Sequence, residues 1–233
     1  MGAAMPSLHS DRTLVSLAAP GSFAAEQYQG LRLKLERLRQ ARGVRVLAVT
    51  SPGVSDGKTV TSINLAGALA HGSSARVLLI DADLRRPSVG THLGLPAPDA
   101  AGLTEALVDE SIELRQVVRQ LDHADSLSVV LAGSRPASVH ELLRSPRFEN
   151  LLQEARDLYD FVVLDTPPLV PVCDAALLSR LVDGMLVVVA AHETPRKLLE
   201  EALNLIDESK VLGIVFNGDN STPFRQYDAY YLR

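Results

Sequence analysis

The stretch VRVLAVTSPGVSDGKTVTSINLAGALA, residues 44–70, decides the fold. It opens on an apolar, β-branched run, Val44–Thr50, that reads as a buried strand. The run stops at Ser51-Pro52-Gly53, and a helical segment covers Thr59–Ala70. The loop between them ends in Gly57-Lys58-Thr59. A loop at this place can wrap phosphates with its backbone N–H groups, here those of Ser55, Asp56, Gly57, Lys58, Thr59 and Val60. The helix N-terminus adds a favourable dipole, Lys58 reaches the outer phosphates, and the Thr59 hydroxyl holds Mg²⁺. The strict pattern G-x-x-x-x-G-K-[ST] asks for glycine where the chain has Pro52. Taken by itself, the loop also reads as a Gly/Pro-rich turn that joins strand to helix.

Outward from this stretch the same alternation repeats. Strands are predicted at Val77–Ile80, Leu127–Leu131, Phe161–Leu164, Met185–Ala190 and Gly213–Phe216. Helical segments are predicted at Phe23–Leu38, Glu141–Leu158, Ala175–Leu181 and Arg196–Ser209. Alternating strands and helices imply an α/β doubly wound fold, a mostly parallel sheet flanked by helices on both faces. Two strands end in acid, one at Asp81-Ala-Asp83 and the other at Asp165. Carboxylates at the carboxyl ends of parallel strands face the ligand crevice of such sheets. In a phosphate-binding protein such acids hold Mg²⁺ directly or through water, or accept a proton from an attacking hydroxyl. Each acid alone could equally cap the next helix. Together with Gly57-Lys58-Thr59 they are three pieces of one site.

The remaining features bound the function. The chain has 233 residues, 46% of them hydrophobic, enough for one sizeable core. Its net charge is -5 and no basic block is dense enough for a nucleic-acid footprint. One cysteine, Cys173, fits a reducing, cytoplasmic compartment. The longest apolar run, near Met185–Ala191, falls far short of the roughly 20 residues that span a bilayer. The beginning of the chain, MGAAMPSLHS, has no signal-peptide pattern. Residues 1–21 read as a flexible leader, 22–220 as the nucleotide-binding domain, and 221–233 as a tyrosine-rich tail.

Three motifs carry a family resemblance. VTSPGVSDGKTVTSINLAGALA, VLLIDADLRRPSV and YDFVVLDTPP resemble the Walker A, A′ and B motifs of the bacterial tyrosine kinases of capsule and exopolysaccharide export. GLTEAL at 102–107, ELLRSPRF at 141–148, DAALLSRLVDGMLVV at 174–188 and VLGIVFNG at 211–218 extend the likeness over roughly residues 23–218. The resemblance implies a fold related to the partition ATPases of the ParA and MinD type, with ATP and Mg²⁺ as cofactors and Thr59, Asp81 and Asp165 as the metal's ligands. It implies catalysis by Lys58, Asp81, Asp83 and Asp165, and an adenine contact at Asn217. It implies autophosphorylation in trans of Tyr227, Tyr230 and Tyr231, three of the chain's five tyrosines. It also implies a homo-oligomer, a ring in the family's manner, with Glu26 and Arg32 at the interface. A transmembrane polysaccharide co-polymerase would be the activator and the one link to the membrane, with this chain as its separate kinase subunit.

The chain departs from the family at three places. Val54 and Ser55 stand where the family has Pro-Gly, Gln29 replaces the middle arginine of E-x-x-R-x-x-R, and PASVHELL at 136–143 replaces P-x-N-P-x-E-L-L. Two other functions stay open on the sequence. One is a nucleotide-gated scaffold without kinase activity. The other is a partition ATPase, although Ser51-Pro52-Gly53 lacks that group's additional lysine.

Overall fold

A computed structural model describes residues 14–71, 75–95, 101–121 and 126–219. In chain order these form α1 (Val15–Ala18), α2 (Phe23–Arg42), β1 (Val46–Thr50), α3 (Lys58–His71), β2 (Val77–Asp81), α4 (Val89–His92) and α5 (Leu103–Val108). Next come α6 (Leu114–Val117), β3 (Arg119–Gln120), β4 (Leu127–Val130), α7 (Val139–Leu143), α8 (Pro146–Leu158) and β5 (Phe161–Asp165). The last elements are α9 (Asp174–Leu178), β6 (Gly184–Ala190), α10 (Arg196–Leu203) and β7 (Val211–Asn217). The sheet order is β3-β4-β2-β5-β1-β6-β7. All neighbours are parallel except β3, which runs antiparallel to β4.

Side chains alternate across a strand, so each central strand feeds two cores. Leu47, Val49, Val77, Leu79 and Val163 join α2 and α3 on one face. Val46, Ala48, Leu78, Ile80 and Val162 join helices from α5 to α10 on the other. The expected doubly wound architecture is therefore present. β1, β2 and β5 are buried at every position, which explains why their sequences read as unbroken apolar runs.

Local chemistry sets the helix limits. Ser22 caps α2 by accepting from the Ala25 N–H, and Gly43 ends it in the left-handed conformation at φ 71°. The single helical region expected over 141–158 is instead two helices. Pro146 lacks an N–H and begins α8 at its first turn, so α7 must stop before it. Likewise the helix from Arg196 ends at Leu203, and a separate 3₁₀ turn covers Glu208–Lys210.

The leader expectation needs correction for its last part. Leu14 is buried, and the Ser16 N–H donates to Asn64 Oδ1 of α3 at 2.9 Å. One helical turn, α1, thus packs on α3, the helix that follows the loop at 51–57. The rest of the leader and the tail with Tyr227, Tyr230 and Tyr231 lie outside the described residues. No described helix is long and apolar enough to cross a membrane.

Candidate active site

Strand order assembles the site. β1 lies beside β5, and β5 beside β2, so three carboxyl ends meet. In register, Asp165 pairs with Val49 on one side and with Asp81 on the other. The loop leaving β1 therefore passes directly over the two acidic strand ends.

The loop is held by its own side chains. Asp56 Oδ2 accepts from the Gly53 N–H at 2.9 Å, and Asp56 Oδ1 accepts from the Thr194 hydroxyl at 2.6 Å. Asn217 Nδ2 donates to the Asp56 carbonyl at 3.1 Å. Ser55 and Gly57 both adopt left-handed backbone, at φ 68° and 91°. Gly57 is required twice over: besides its φ, a Cβ there would sit 1.9 Å from Asn217 Nδ2. Ser55, where the resembling family has glycine, takes the same kind of conformation at a steric cost. Lys58, Thr59 and Val60 open α3, where the first N–H groups have no helical acceptor and the helix dipole is positive.

Below the loop lies a charged cluster. Lys58 Nζ donates to Asp83 Oδ2 at 2.9 Å and lies 3.8 Å from Asp165 Oδ1. The Thr59 hydroxyl donates to Asp165 Oδ2 at 2.7 Å, and the Ser62 hydroxyl to Asp165 Oδ1 at 3.1 Å. The Ser88 hydroxyl donates to Thr59 Oγ1 at 3.1 Å. Asp81 Oδ2 accepts from the Ser88 and Val89 N–H groups, both at 3.1 Å. The other oxygen, Asp81 Oδ1, is buried and has no hydrogen-bond partner among the described residues.

Asp83 and Asp165 thus share one ammonium, and Asp81 adds a third carboxyl whose charge it feels; each of the three is 3% exposed or less. Burial, then the charge of Asp165, push Asp81 up to about 7. Burial also raises Asp165, against the pull of Lys58 and the Thr59 hydroxyl. Burial opposes the charge on Lys58, but Asp165 and Asp83 outweigh it and hold the ammonium above the ordinary lysine range. A cluster this acidic accommodates a further cation. The neighbouring donors are all oxygen: the unpartnered Asp81 Oδ1, the Thr59 and Ser88 hydroxyls, and Asp165. That set suits Mg²⁺.

The structure brings together Lys58, Thr59, Asp81, Asp83 and Asp165, and sets Asn217 against the loop. It gives the Asp56 side chain a bracing task within the loop. Ser88 was not among the sequence-based candidates; its signal is its position one residue beyond Arg85-Arg86-Pro87, at the end of the Walker A′-like string. Glu26 and Arg32 lie on α2, remote from this cluster in the chain. Arg32 bonds Gln29 Oε1 at 2.8 Å and Glu36 Oε1 at 3.0 Å, so the residue that replaces the family's arginine accepts from its neighbour.

The chain matches the AAA domain family over residues 44–211. It is 34% identical to tyrosine-protein kinase YwqD of Bacillus subtilis, over 94% of this chain and 91% of that protein. It is also 34% identical to the succinoglycan biosynthesis transport protein ExoP of Rhizobium meliloti, covering 97% of this chain but 28% of the relative. Among solved structures it resembles the kinase domain of the Escherichia coli tyrosine kinase ETK. That match has a TM-score of 0.79 and 28% identity, over 93% of this chain and 87% of that one.

Proposed function

From the premise that this chain belongs to the bacterial tyrosine-kinase family of P-loop ATPases, we propose that it is an ATP-dependent protein-tyrosine autokinase. The relatives named as tyrosine kinases, and the biosynthetic transport role in the name of ExoP, support a part in exopolysaccharide or capsule export. The observation that carries the reading is the buried cluster of Lys58, Asp81, Asp83 and Asp165 beneath the loop, with one oxygen of Asp81 left unpartnered.

In this reading the N–H groups of residues 55–60 cradle the phosphates of ATP, and Lys58 turns from Asp83 toward the outer phosphates. Thr59, Asp81 and Asp165 would hold Mg²⁺, with Ser88 beside them. The ion, when bound, neutralises charge on the transferred phosphoryl group. Asp83, released from Lys58, orients the incoming tyrosine. Asp81 accepts the phenol proton as the oxygen attacks the γ-phosphorus and the bond to the β-phosphate oxygen breaks. Most of the acceleration is positioning and charge neutralisation. Asn217, beside the loop, contacts the adenine.

The acceptors are Tyr227, Tyr230 and Tyr231 of a neighbouring copy. Each phosphate adds about -1.5 to -2 charges. Within an assembly of chains already at net -5, those charges favour separation and give a cycle of assembly and release. Glu26 and Arg32 on α2 serve the contact between copies. A transmembrane co-polymerase activates the kinase and brings it to the inner face of the membrane.

The strained Ser55 favours a second reading, a nucleotide-gated scaffold whose loop binds ATP without turnover. Incubation with Mg-ATP, followed by mass spectrometry of the C-terminal peptide, separates the two. The kinase reading expects phosphotyrosine that is absent in Lys58→Met. ATP binding with no phosphotyrosine, even with a co-polymerase tail added, selects the scaffold.

A further inference from the structure

The phosphate site leaves two sequence features unused: the single cysteine and the stretch PASVHELL. The fold brings them together. Cys173, exposed, precedes α9, and His140, partly buried, lies on α7. Cys173 Sγ is 3.7 Å from His140 Nδ1. The carboxylate of Asp174, fully buried, completes a group whose donor atoms all lie within 4.8 Å of one another. Among the described residues, no other three His, Cys, Asp or Glu side chains meet in this way.

We propose that His140 Nδ1, Cys173 Sγ and a carboxylate oxygen of Asp174 form a site for a borderline-soft divalent transition metal, zinc foremost. A thiolate and an imidazole select zinc over Mg²⁺ and Ca²⁺, which prefer oxygen alone. Zinc bonds of about 2.3 Å to sulfur and about 2.0 Å to nitrogen, at a tetrahedral angle, put the two donors roughly 3.5 Å apart. The observed separation is close to that. The thiol loses its proton to solvent on binding, and the exposed side of Cys173 leaves the fourth position to water.

The site is linked to the phosphate cluster through one residue. Arg85 clasps both oxygens of Asp174, Nε on Oδ2 and a terminal nitrogen on Oδ1 at 3.1 Å. A metal ion takes one of those oxygens and repels the guanidinium. Arg85 stands two residues beyond Asp83, the partner of Lys58, in the turn that leaves β2. Metal binding therefore loosens the turn that positions Asp83 and weakens nucleotide binding. The metal site itself stands apart from the kinase reading.

Cobalt(II) titrated into the full chain, with Mg²⁺ in excess to fill the phosphate site, tests the proposal. One equivalent produces thiolate-to-cobalt absorption in the near ultraviolet, and one equivalent of zinc removes it. Cys173→Ser abolishes the absorption, and His140→Gln weakens binding by roughly tenfold or more. Alkylation of Cys173 slows about tenfold in the presence of zinc in the parent protein. No absorption, or equal affinity in His140→Gln, overturns the site. One equivalent of zinc also weakens binding of a fluorescent ATP analogue at least threefold in the parent and not in Cys173→Ser. Zinc bound with nucleotide affinity unchanged overturns the link through Arg85.

Discussion

Replacing Asp81 by Asn should stabilise the metal-free protein above neutral pH while abolishing phosphoryl transfer. Asp81 is 1% exposed and its carboxyl is raised from 3.8 to about 7, by burial first and by Asp165 next. In the unfolded chain the same carboxyl loses its proton near 3.8. Between these values the native state holds the extra proton, so stability falls as pH rises through the window and levels off above about 7. Full ionisation in the folded state costs about 4 kcal/mol. Of this, about 2–3 kcal/mol accrues between pH 5 and pH 8. An Asn carbonyl can keep the bonds from the Ser88 and Val89 N–H groups, but its NH₂ then fills the position of the unpartnered Oδ1. That buried donor costs about 1–3 kcal/mol at every pH. The difference between variant and parent should therefore shift in favour of Asp81→Asn by about 2–3 kcal/mol from pH 5 to pH 8. Urea unfolding in EDTA-containing buffers across this range measures it. A difference that does not change with pH, or one that moves against the variant as pH rises, would refute the electrostatic description of the cluster.

Two substitutions test the loop. Ser55→Gly removes the cost of left-handed backbone at φ 68° and should raise stability by up to about 1 kcal/mol, although glycine's greater freedom in the unfolded chain offsets part of that gain. The same variant should tighten ATP, read by calorimetry; weaker ATP binding would mean that the serine side chain itself contacts the phosphates. Asp56→Ala deprives the Gly53 N–H and the Thr194 hydroxyl of their acceptor. It should cost about 1–3 kcal/mol in thermal unfolding and weaken ATP binding, because the loop loses its brace. Unaltered ATP affinity would show that the loop holds its shape without Asp56.

The grouping of Lys58, Thr59, Asp81, Asp83 and Asp165, proposed above to bind phosphate and metal, was legible because each part has a local signal. Gly57-Lys58-Thr59 must follow a strand and open a helix, and Asp81 and Asp165 must end strands, so short segments specify each part. Their convergence depends on β5 lying between β1 and β2, and that order cannot be read from any one segment. The same limit hid the contacts between distant elements. Asp56 is bonded to Thr194, 138 residues away, and Arg85 to Asp174, 89 residues away. The break between α7 and α8 had a local signal in Pro146, which a helical period running on both sides obscured. α1 lacked one, because its four residues are fixed by burial against α3 and not by their own propensity. The two-residue β3 is likewise defined by its partner, β4, and not by its own sequence.

Transfer of phosphate between copies can be read by mixing two variants. One variant, Lys58→Met, keeps the tail and lacks the lysine proposed to bind phosphate. The other replaces Tyr227, Tyr230 and Tyr231 by Phe and keeps the site. Neither should acquire tail phosphate alone with Mg-ATP. Mixed, with the Lys58→Met chain carrying an isotopic label, its C-terminal peptide should become phosphorylated on one or more of the three tyrosines. A labelled tail that stays unmodified, while the unmixed parent protein phosphorylates its own, would contradict transfer in trans. No phosphotyrosine in the parent protein, even with a co-polymerase tail added, would contradict the kinase assignment itself.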